Sequence, residues 1–252
     1  MTKVSALIPC FNSQKTILFT LQSIDWADEI FVCDSYSTDS TLEIAKRYRA
    51  GIIQHEYVNS ARQKNWAIPQ CKNEWVLIVD TDEILEKGTK EELLQALHNV
   101  SPEVDGFRIP RKNFIYGKWL RHGGIYPDYQ LRLFRKDKGC YEDREVHAHL
   151  FVPGKVKVLS HHLIHNGFKD LKTWLIKNHR YVKYEVDELH KRKGKLCSTR
   201  LTIYPIFLFF KHYLGEFGFL EGYRGFMLAV LSAFYYFLVH ARLRESDILE
   251  KT

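Results

Sequence analysis

Glycine-rich phosphate loops are missing from this chain. No GxGxxG follows the first apolar run, and GxxxxGK[ST] occurs nowhere in the 252 residues. A dinucleotide fingerprint and a P-loop are thereby excluded as the phosphate-binding device. Cysteine is sparse: Cys10, Cys33, Cys71, Cys140 and Cys197 are odd in number, widely spaced and without a CxxC pair. That argues against a disulfide framework or a zinc site and fits a reducing cytosol. The N-terminal stretch MTKVSALIPCFN is too short in apolar residues for a signal peptide and reads as a first strand. No nucleic-acid-binding motif is recognisable, so nucleic acid is not an expected partner.

What is present describes a folded protein, with 45% apolar and 27% charged residues. The length suits one large domain or a domain with an appendage. The formal charge of +7 is unevenly spread: residues 153–200 hold twelve Lys or Arg against four Asp or Glu, and the remainder sums to −1. A basic region beside an aromatic one points to an anionic membrane surface or an anionic substrate, with a solvated basic face as the plain alternative.

Trp75 to Leu85 reads WVLIVDTDEIL. The Val- and Ile-rich run suggests a strand buried on both faces. Buried unpaired charge is costly, so Asp80, Asp82 and Glu83 are expected where that strand emerges, at its carboxyl end. Ligands of open α/β sheets bind there, and clustered carboxylates offer hard oxygen ligands to Mg²⁺ or Mn²⁺. An acidic helix start is the alternative.

Further strands are expected at Val4 to Ile8 (ended by Pro9), Glu29 to Cys33 and Gly51 to Gln54. Helices are expected from about Gln14, over TLEIAKRYR capped by Asp39 or Thr38, over SARQKNWAI, and over Lys90 to His98 with Leu93, Leu94 and Leu97 on one side. Alternation of this kind implies a parallel sheet with right-handed crossovers. The glycine-free junction PCFNSQKT also differs from the Gly-rich loop usual in sugar-nucleotide nucleotidyltransferases.

In order and spacing, ALIPCFN, EIFVCDSYSTDST, NSARQKNWAI and WVLIVDTDEIL resemble the inverting family 2 glycosyltransferases of GT-A fold. RKNFIYGKWLRHGGIYPDYQLRLFRK further resembles a subgroup that includes bacterial lipopolysaccharide-core glucosyltransferases. The resemblance implies an α/β GT-A fold, a mostly parallel wound sheet with a C-terminal helical, membrane-associating extension. It divides the chain into a catalytic domain at 1–168, with a nucleotide-sugar half at about 1–100 and an acceptor half at about 101–168, and an extension at 169–252. Pro9, Asn12, Asp34, Arg62, Lys64, Asp80 and Arg132 fall where the family binds the nucleotide sugar. Asp34 matches the acid that binds the base, typically uracil, and Arg132 supports the diphosphate or the active-site loop. As isolated residues, Arg62 and Lys64 also suit a solvated helix face. Asp82 and Asp80 match the metal-binding DxD pair, with Asp82 the direct ligand and Asp80 facing the ribose. Glu83 supports them, His165 is a third contact to the metal or to phosphate, and the cofactor is Mn²⁺ or Mg²⁺.

An inverting transfer needs a general base on the acceptor side. Many members of the subgroup read VHE where this chain reads VHA, with Ala148 in place of the glutamate. The candidates are Glu145, then Asp143, then His147. Trp119 and His122 lie on a loop expected to face the acceptor. The sequence HHLIH places His161 and His162 side by side, which does not suit a tri-histidine site in a strand. A helix is expected over Asp170 to His190, with Leu171, Trp174, Leu175, Tyr181, Val182 and Leu189 near one stripe.

The tail holds two apolar runs, LTIYPIFLFF and GFMLAVLSAFYYFLV. The longer one falls short of the ~20 residues that span a bilayer and suits an interfacial helix with basic flanks on anionic lipid. A hairpin packed on the catalytic domain, or on a second subunit in a homodimer, is the alternative. The expected function is metal-dependent transfer of a sugar from a UDP-type donor to a hydroxyl of a glycolipid, lipopolysaccharide-core or lipid-linked saccharide. The expected location is the inner face of the cytoplasmic membrane. A polyprenyl-phosphate sugar synthase and a catalytically silent membrane scaffold are the rivals.

Overall fold

Two neighbouring strands with apolar residues on both faces run through the main sheet. They are β1 (Val4–Cys10) and β4 (Trp75–Ile78), paired parallel with Val4 opposite Trp75 and Leu7 opposite Ile78. A computed structural model describes residues 2–144, 148–168, 170–191 and 198–249 of the chain. Side chains alternate strictly: Val4, Ala6, Ile8, Trp75, Leu77 and Val79 enter one core, while Leu7, Val76 and Ile78 enter the other. A strand covered on both faces has no polar side, which is why these stretches read as continuous apolar runs.

The first half also contains α1 (Ile17–Ser23), β2 (Glu29–Asp34), α2 (Thr41–Arg47), β3 (Gly51–Gln54), α3 (Ser60–Ala67), β5 (Glu83–Leu85) and α4 (Thr89–His98). Ile17 and Leu21 of α1, Ala45 of α2 and Leu93 and Leu97 of α4 cover one face, and Ala61 and Ala67 of α3 cover the other. Strand one continues through Pro9 to Cys10. Pro9 lies beyond the end of β4, so its missing N–H leaves no ladder bond unmade there. The first helix starts at Ile17 rather than Gln14, and Leu94 is exposed, so only Leu93 and Leu97 form the buried side of α4.

The second half holds β6 (Val104–Ile115), β7 (Lys118–Trp119), β8 (Asp128–Arg135), β9 (Cys140–Tyr141), β10 (Leu150–Phe151), β11 (Lys155–Val158) and β12 (Leu163–Phe168). Then come α5 (Leu171–Lys191), α6 (Ser198–Phe210) and α7 (Tyr223–Leu249). The main sheet runs β3-β2-β1-β4-β8-β6-β12-β5. It is parallel from β3 to β4, and β8 joins β4 antiparallel. Alternation with helices, the signal for parallel pairing, stops after α4, and the sheet turns mixed there. Strand order reverses at β1, whose neighbours are β2 and β4, and the loops at their carboxyl ends are joined by Asn12 N–H to Ser37 Oγ at 2.9 Å and by the Ser13 and Thr81 hydroxyls at 3.0 Å.

The chain divides into two units, one of residues 1–112 and 128–165 and one of residues 113–127 and 166–252. The second unit is not one continuous stretch, since it takes residues 113–127 together with the tail. In that unit the tip Gly123–Gly124 has φ of +85° and +77°, a backbone that glycine adopts without strain. On α5 the apolar stripe is buried only in its second half, where Val182 and Val186 pack with Val239 and Leu243. Leu171, Leu175 and Ile176 are exposed. The second tail run lies within α7, a helix of 27 residues, long and apolar enough to cross a membrane by length and composition. The fifteen-residue run understated it, because the flanking residues continue the helix.

Candidate active site

Asp80 follows β4 and meets two buried cations. Lys64 Nζ lies 3.0 Å from its Oδ1, and Arg132 Nη2 lies 2.7 Å from its Oδ2. Lys64 reaches this point because Asn59 caps α3, its Oδ1 accepting the Arg62 N–H at 2.8 Å, which turns the Ala61–Lys64–Ala67 side inward. The solvated-face reading therefore fails for Lys64, whose side chain is 8% exposed. Glu83 is fully buried at the start of β5, not at the solvent edge expected for it, and is compensated by Arg132 at 2.6 Å and Arg111 at 3.0 Å. Arg111 in turn binds Asp128 at 2.7 Å. Burial alone would raise the Asp80 pKa, but Arg132 and then Lys64 outweigh it and hold the carboxyl well below its usual range. Burial likewise opposes the charge on Lys64 and Arg132, and Asp80 overcomes it, so both stay protonated.

The Arg132 Nε is buried and has no hydrogen-bond partner among the described residues. Buried donors are nearly always satisfied, so this one marks a place for an acceptor. Arg132, Lys64 and Asp80 line a cleft of about 570 Å³, together with Arg111, Tyr141 and His149. Neither Arg111, Asp128 nor Tyr141 stood out in the sequence as a site residue. For Arg111 and Asp128 the signal was the RKN and PDY elements of the motif, whose roles only the contacts define; Tyr141 lies beyond that motif.

Asp34, at the end of β2, is fully buried. Its Oδ2 accepts the Ser37 N–H at 2.9 Å and Gln54 Nε2 at 3.0 Å, while its Oδ1 accepts the Ser37 hydroxyl and the Cys10 thiol. A carboxylate has about four acceptor positions, and here they are filled, so Asp34 orders the loop that follows it. Asn12 fastens the same loop to the end of β1: its N–H donates to Ser37 Oγ at 2.9 Å and its Oδ1 accepts Thr38 N–H at 2.9 Å. Pro9 is half-buried in β1 opposite Cys33.

Asp82 is set apart from Asp80 and faces His165, with Nε2 to Oδ2 at 3.6 Å. Both are half-buried. One carboxylate and one imidazole fit a Mg²⁺ or Mn²⁺ ion completed by phosphate and water, the usual way such ions bind nucleotides. No group of three or more His, Cys, Asp or Glu converges as a protein-only cage among the described residues. The adjacent histidines diverge as expected: His161 binds Glu92 at 2.9 Å and His162 binds Glu86 at 3.0 Å.

Of the base candidates, Glu145 and His147 lie outside the described residues. Asp143 is exposed and held by Arg62 through two contacts of 3.0 and 3.3 Å. Trp119 and His122 belong to the second unit. Arg121 stacks 4.2 Å from the Trp119 ring, and His122 Nδ1 lies 2.8 Å from Glu221. Glu221 is buried there and also receives the Arg121 N–H and Lys118.

A cleft lined by Lys64, Arg111 and Arg132 beside the end of β4, with Asp80 and Asp82 there, is the kind of site that α/β enzymes carry at the carboxyl end of a sheet. Residues 5–152, more than half of the chain, match the family described as Glycosyl transferase family 2. The chain belongs to that family and is a glycosyltransferase. It is 27% identical over 254 residues to the lipopolysaccharide core biosynthesis glycosyltransferase LpsC of Rhizobium meliloti, covering 98% of this chain and 94% of that one. An uncharacterized glycosyltransferase of Rickettsia felis is 28% identical, over 100% of this chain and 93% of the other. Among solved structures, residues 1-349 of S. aureus TarS in complex with UDP superpose with a TM-score of 0.51 at 17% identity, over 100% of this chain and 92% of that one. That likeness establishes the GT-A fold.

Proposed function

We propose that this enzyme transfers a sugar, with inversion, from a UDP-sugar to a hydroxyl of a lipopolysaccharide-core or related glycolipid acceptor at the inner face of the cytoplasmic membrane. The observation that carries the reading is the Asp80–Arg132–Glu83 network at the cleft, in which the buried Arg132 Nε has no partner among the described residues. Arg132 and Lys64 receive the donor diphosphate, and Asp80 holds both cations in place. Fixed charges of this kind stabilise a departing anion without reorganising as the bond breaks. Asp82 and His165 hold a divalent cation, which when bound supplies charge neutralisation at the leaving phosphate. Asp34 and Asn12 shape the loop against which the base rests. Glu145 takes the proton of the acceptor hydroxyl, and Trp119 and His122 contact the acceptor. UDP complexes of TarS and the role in the name of LpsC support the donor and acceptor classes.

The membrane part of the reading rests on the tail. Phe226, Val230, Phe234 and Phe237 recur at helical spacing on α7 and are exposed, as are Ile203, Ile206, Phe207 and Phe210 on α6. Such stripes with Arg200, Lys211, Arg224 and Arg242 about them suit an anionic lipid surface. A thermal-shift series of the full chain with UDP-sugars and Mn²⁺ tests the donor half. A rise in Tm with UDP and UDP-sugars, and slow Mn²⁺-dependent release of UDP without acceptor, is the expected result. No shift with any nucleotide sugar would overturn it.

A further inference from the structure

We infer that Asn65 is a positioning residue of the transfer reaction, fixing Tyr141 and the chain after it against the cations proposed to hold the donor diphosphate. The inference rests on the transfer reading above and deepens it. Tyr141 pairs with Leu150 in the short β9–β10 ladder, and the Glu142 N–H donates to the His149 carbonyl at 3.1 Å. In an antiparallel ladder such bonds flank the pair, so the Tyr141 N–H and C=O turn away from β10. Asn65 of α3 meets both groups. Its Oδ1 accepts the Tyr141 N–H at 2.8 Å, and its Nδ2 donates to the Tyr141 carbonyl at 2.9 Å. A side-chain amide carries an acceptor and a donor side by side, which is what two adjacent main-chain groups need.

Tyr141 is buried and lines the 570 Å³ cleft, where Lys64 Nζ lies 5.3 Å from its ring centroid. Asn65 itself does not line the cleft, so it acts through Tyr141. Lys64 precedes Asn65 on α3 and reaches Asp80 at 3.0 Å. Two adjacent residues of one helix therefore set a diphosphate-side cation and the chain at Tyr141. Asp143 and Glu145, the acids proposed for the base, follow Tyr141 within four residues. Arg62 of the same helix also meets Asp143, but both side chains are exposed and such a pair holds weakly. Transfer needs the leaving group and the acceptor side held in register, and a misplacement of ~1 Å costs ~100-fold in rate. A helix that grips both ends of that distance supplies the constraint.

The full chain with Asn65→Ala tests this through UDP affinity, UDP release and amide exchange. Affinity is read by isothermal titration of UDP with Mn²⁺. Release is read from UDP-glucose, UDP-galactose and UDP-N-acetylglucosamine, with water standing in for the acceptor hydroxyl. UDP affinity and the donor KM should stay within ~2-fold of wild type, while kcat for release falls by ~10- to 100-fold, the scale of lost orientation. Exchange of the Tyr141 amide should quicken by ~10-fold or more, since its acceptor is gone. Asn65→Asp keeps an acceptor for the Tyr141 N–H but sets a carboxylate against the carbonyl, so it should fall between the two. Should Asn65→Ala not fold, Asn65→Asp carries the test by the same criteria. Unchanged release, unchanged Tyr141 exchange, or a parallel fall in UDP affinity would each overturn the inference, the last by assigning Asn65 to the donor site or to the fold at large. Failure of the wild-type chain to bind UDP, or to release it from any of these sugars, overturns the transfer reading instead, while exchange at Tyr141 still decides whether Asn65 holds that segment.

Discussion

Arg132 Nη2 lies 2.7 Å from Asp80 Oδ2, joining the middle of β8 to the end of β4 across fifty-two residues of sequence. The same nitrogen lies 2.6 Å from the fully buried Glu83. One guanidinium thus fixes both the acid that meets the cleft and the acid behind it.

Replacing Arg132 tests how much the network holds. Arg132→Met leaves Glu83 buried with half its compensation, and breaking a buried ion pair from one side typically costs ~3–5 kcal/mol. Urea unfolding should show a loss on that scale. Adding Glu83→Gln should recover part of it, because the stranded charge is then gone.

Asp82 is half-buried and faces His165 at 3.6 Å. Asp82→Asn should keep Tm within a few degrees and cut turnover by ~100-fold or more, the scale of lost transition-state electrostatics. Steady-state assays across a Mn²⁺ series measure it. Near-normal turnover would remove Asp82 from the metal.

Substitution separates the two acids proposed for the base. Glu145→Gln should spare UDP binding and abolish transfer. Asp143→Asn should have the milder effect, since Asp143 is already engaged by Arg62. The reverse order in transfer assays would move the base to Asp143.

Charge in the network sets a pH window. The folded-state pKa of Asp80 is lowered, so its stabilising contribution is complete above the unfolded value of about 3.9 and fades as pH falls below it. Lys64 is raised, so its contribution is complete below about 10.4 and is lost at higher pH. The Tm difference between wild type and Asp80→Asn should therefore stay flat from about pH 5 to 9. In the second unit, burial works against the Glu221 charge, but Lys118, the Arg121 N–H and the His122 imidazole bring its pKa to about 2, from 4.5. Glu221→Gln should lower stability above pH 4.5, and the difference should vanish as wild type is acidified towards pH 2.

Polar replacement of the α7 stripe addresses the membrane. Phe226→Ser, Val230→Ser, Phe234→Ser and Phe237→Ser together should abolish sedimentation with anionic liposomes while far-ultraviolet circular dichroism stays unchanged. Retained sedimentation would place the contact elsewhere.

Local pattern carried much of the first half. β3 matches its expected bounds, and α3 starts where expected, because a short Ile-Ile run and the Asn59 cap are local signals. Long-range pairing was not legible. Nothing near Lys64 in sequence indicates a buried partner, and the acidic motif does not reveal that Asp80 takes cations while Asp82 faces His165. Nor does the spacing of Trp119 and His122 show that residues 113–127 join the second unit.

The order of strand-to-loop junctions, the family and the acids at the end of β4 were determined by the sequence alone, because apolar periodicity and short motifs act over a few residues. Which acid neutralises which cation was decided only by the tertiary structure. Charges cannot be buried singly, and it takes the folded sheet to bring Lys64, Arg111 and Arg132 to Asp80, Glu83 and Asp128.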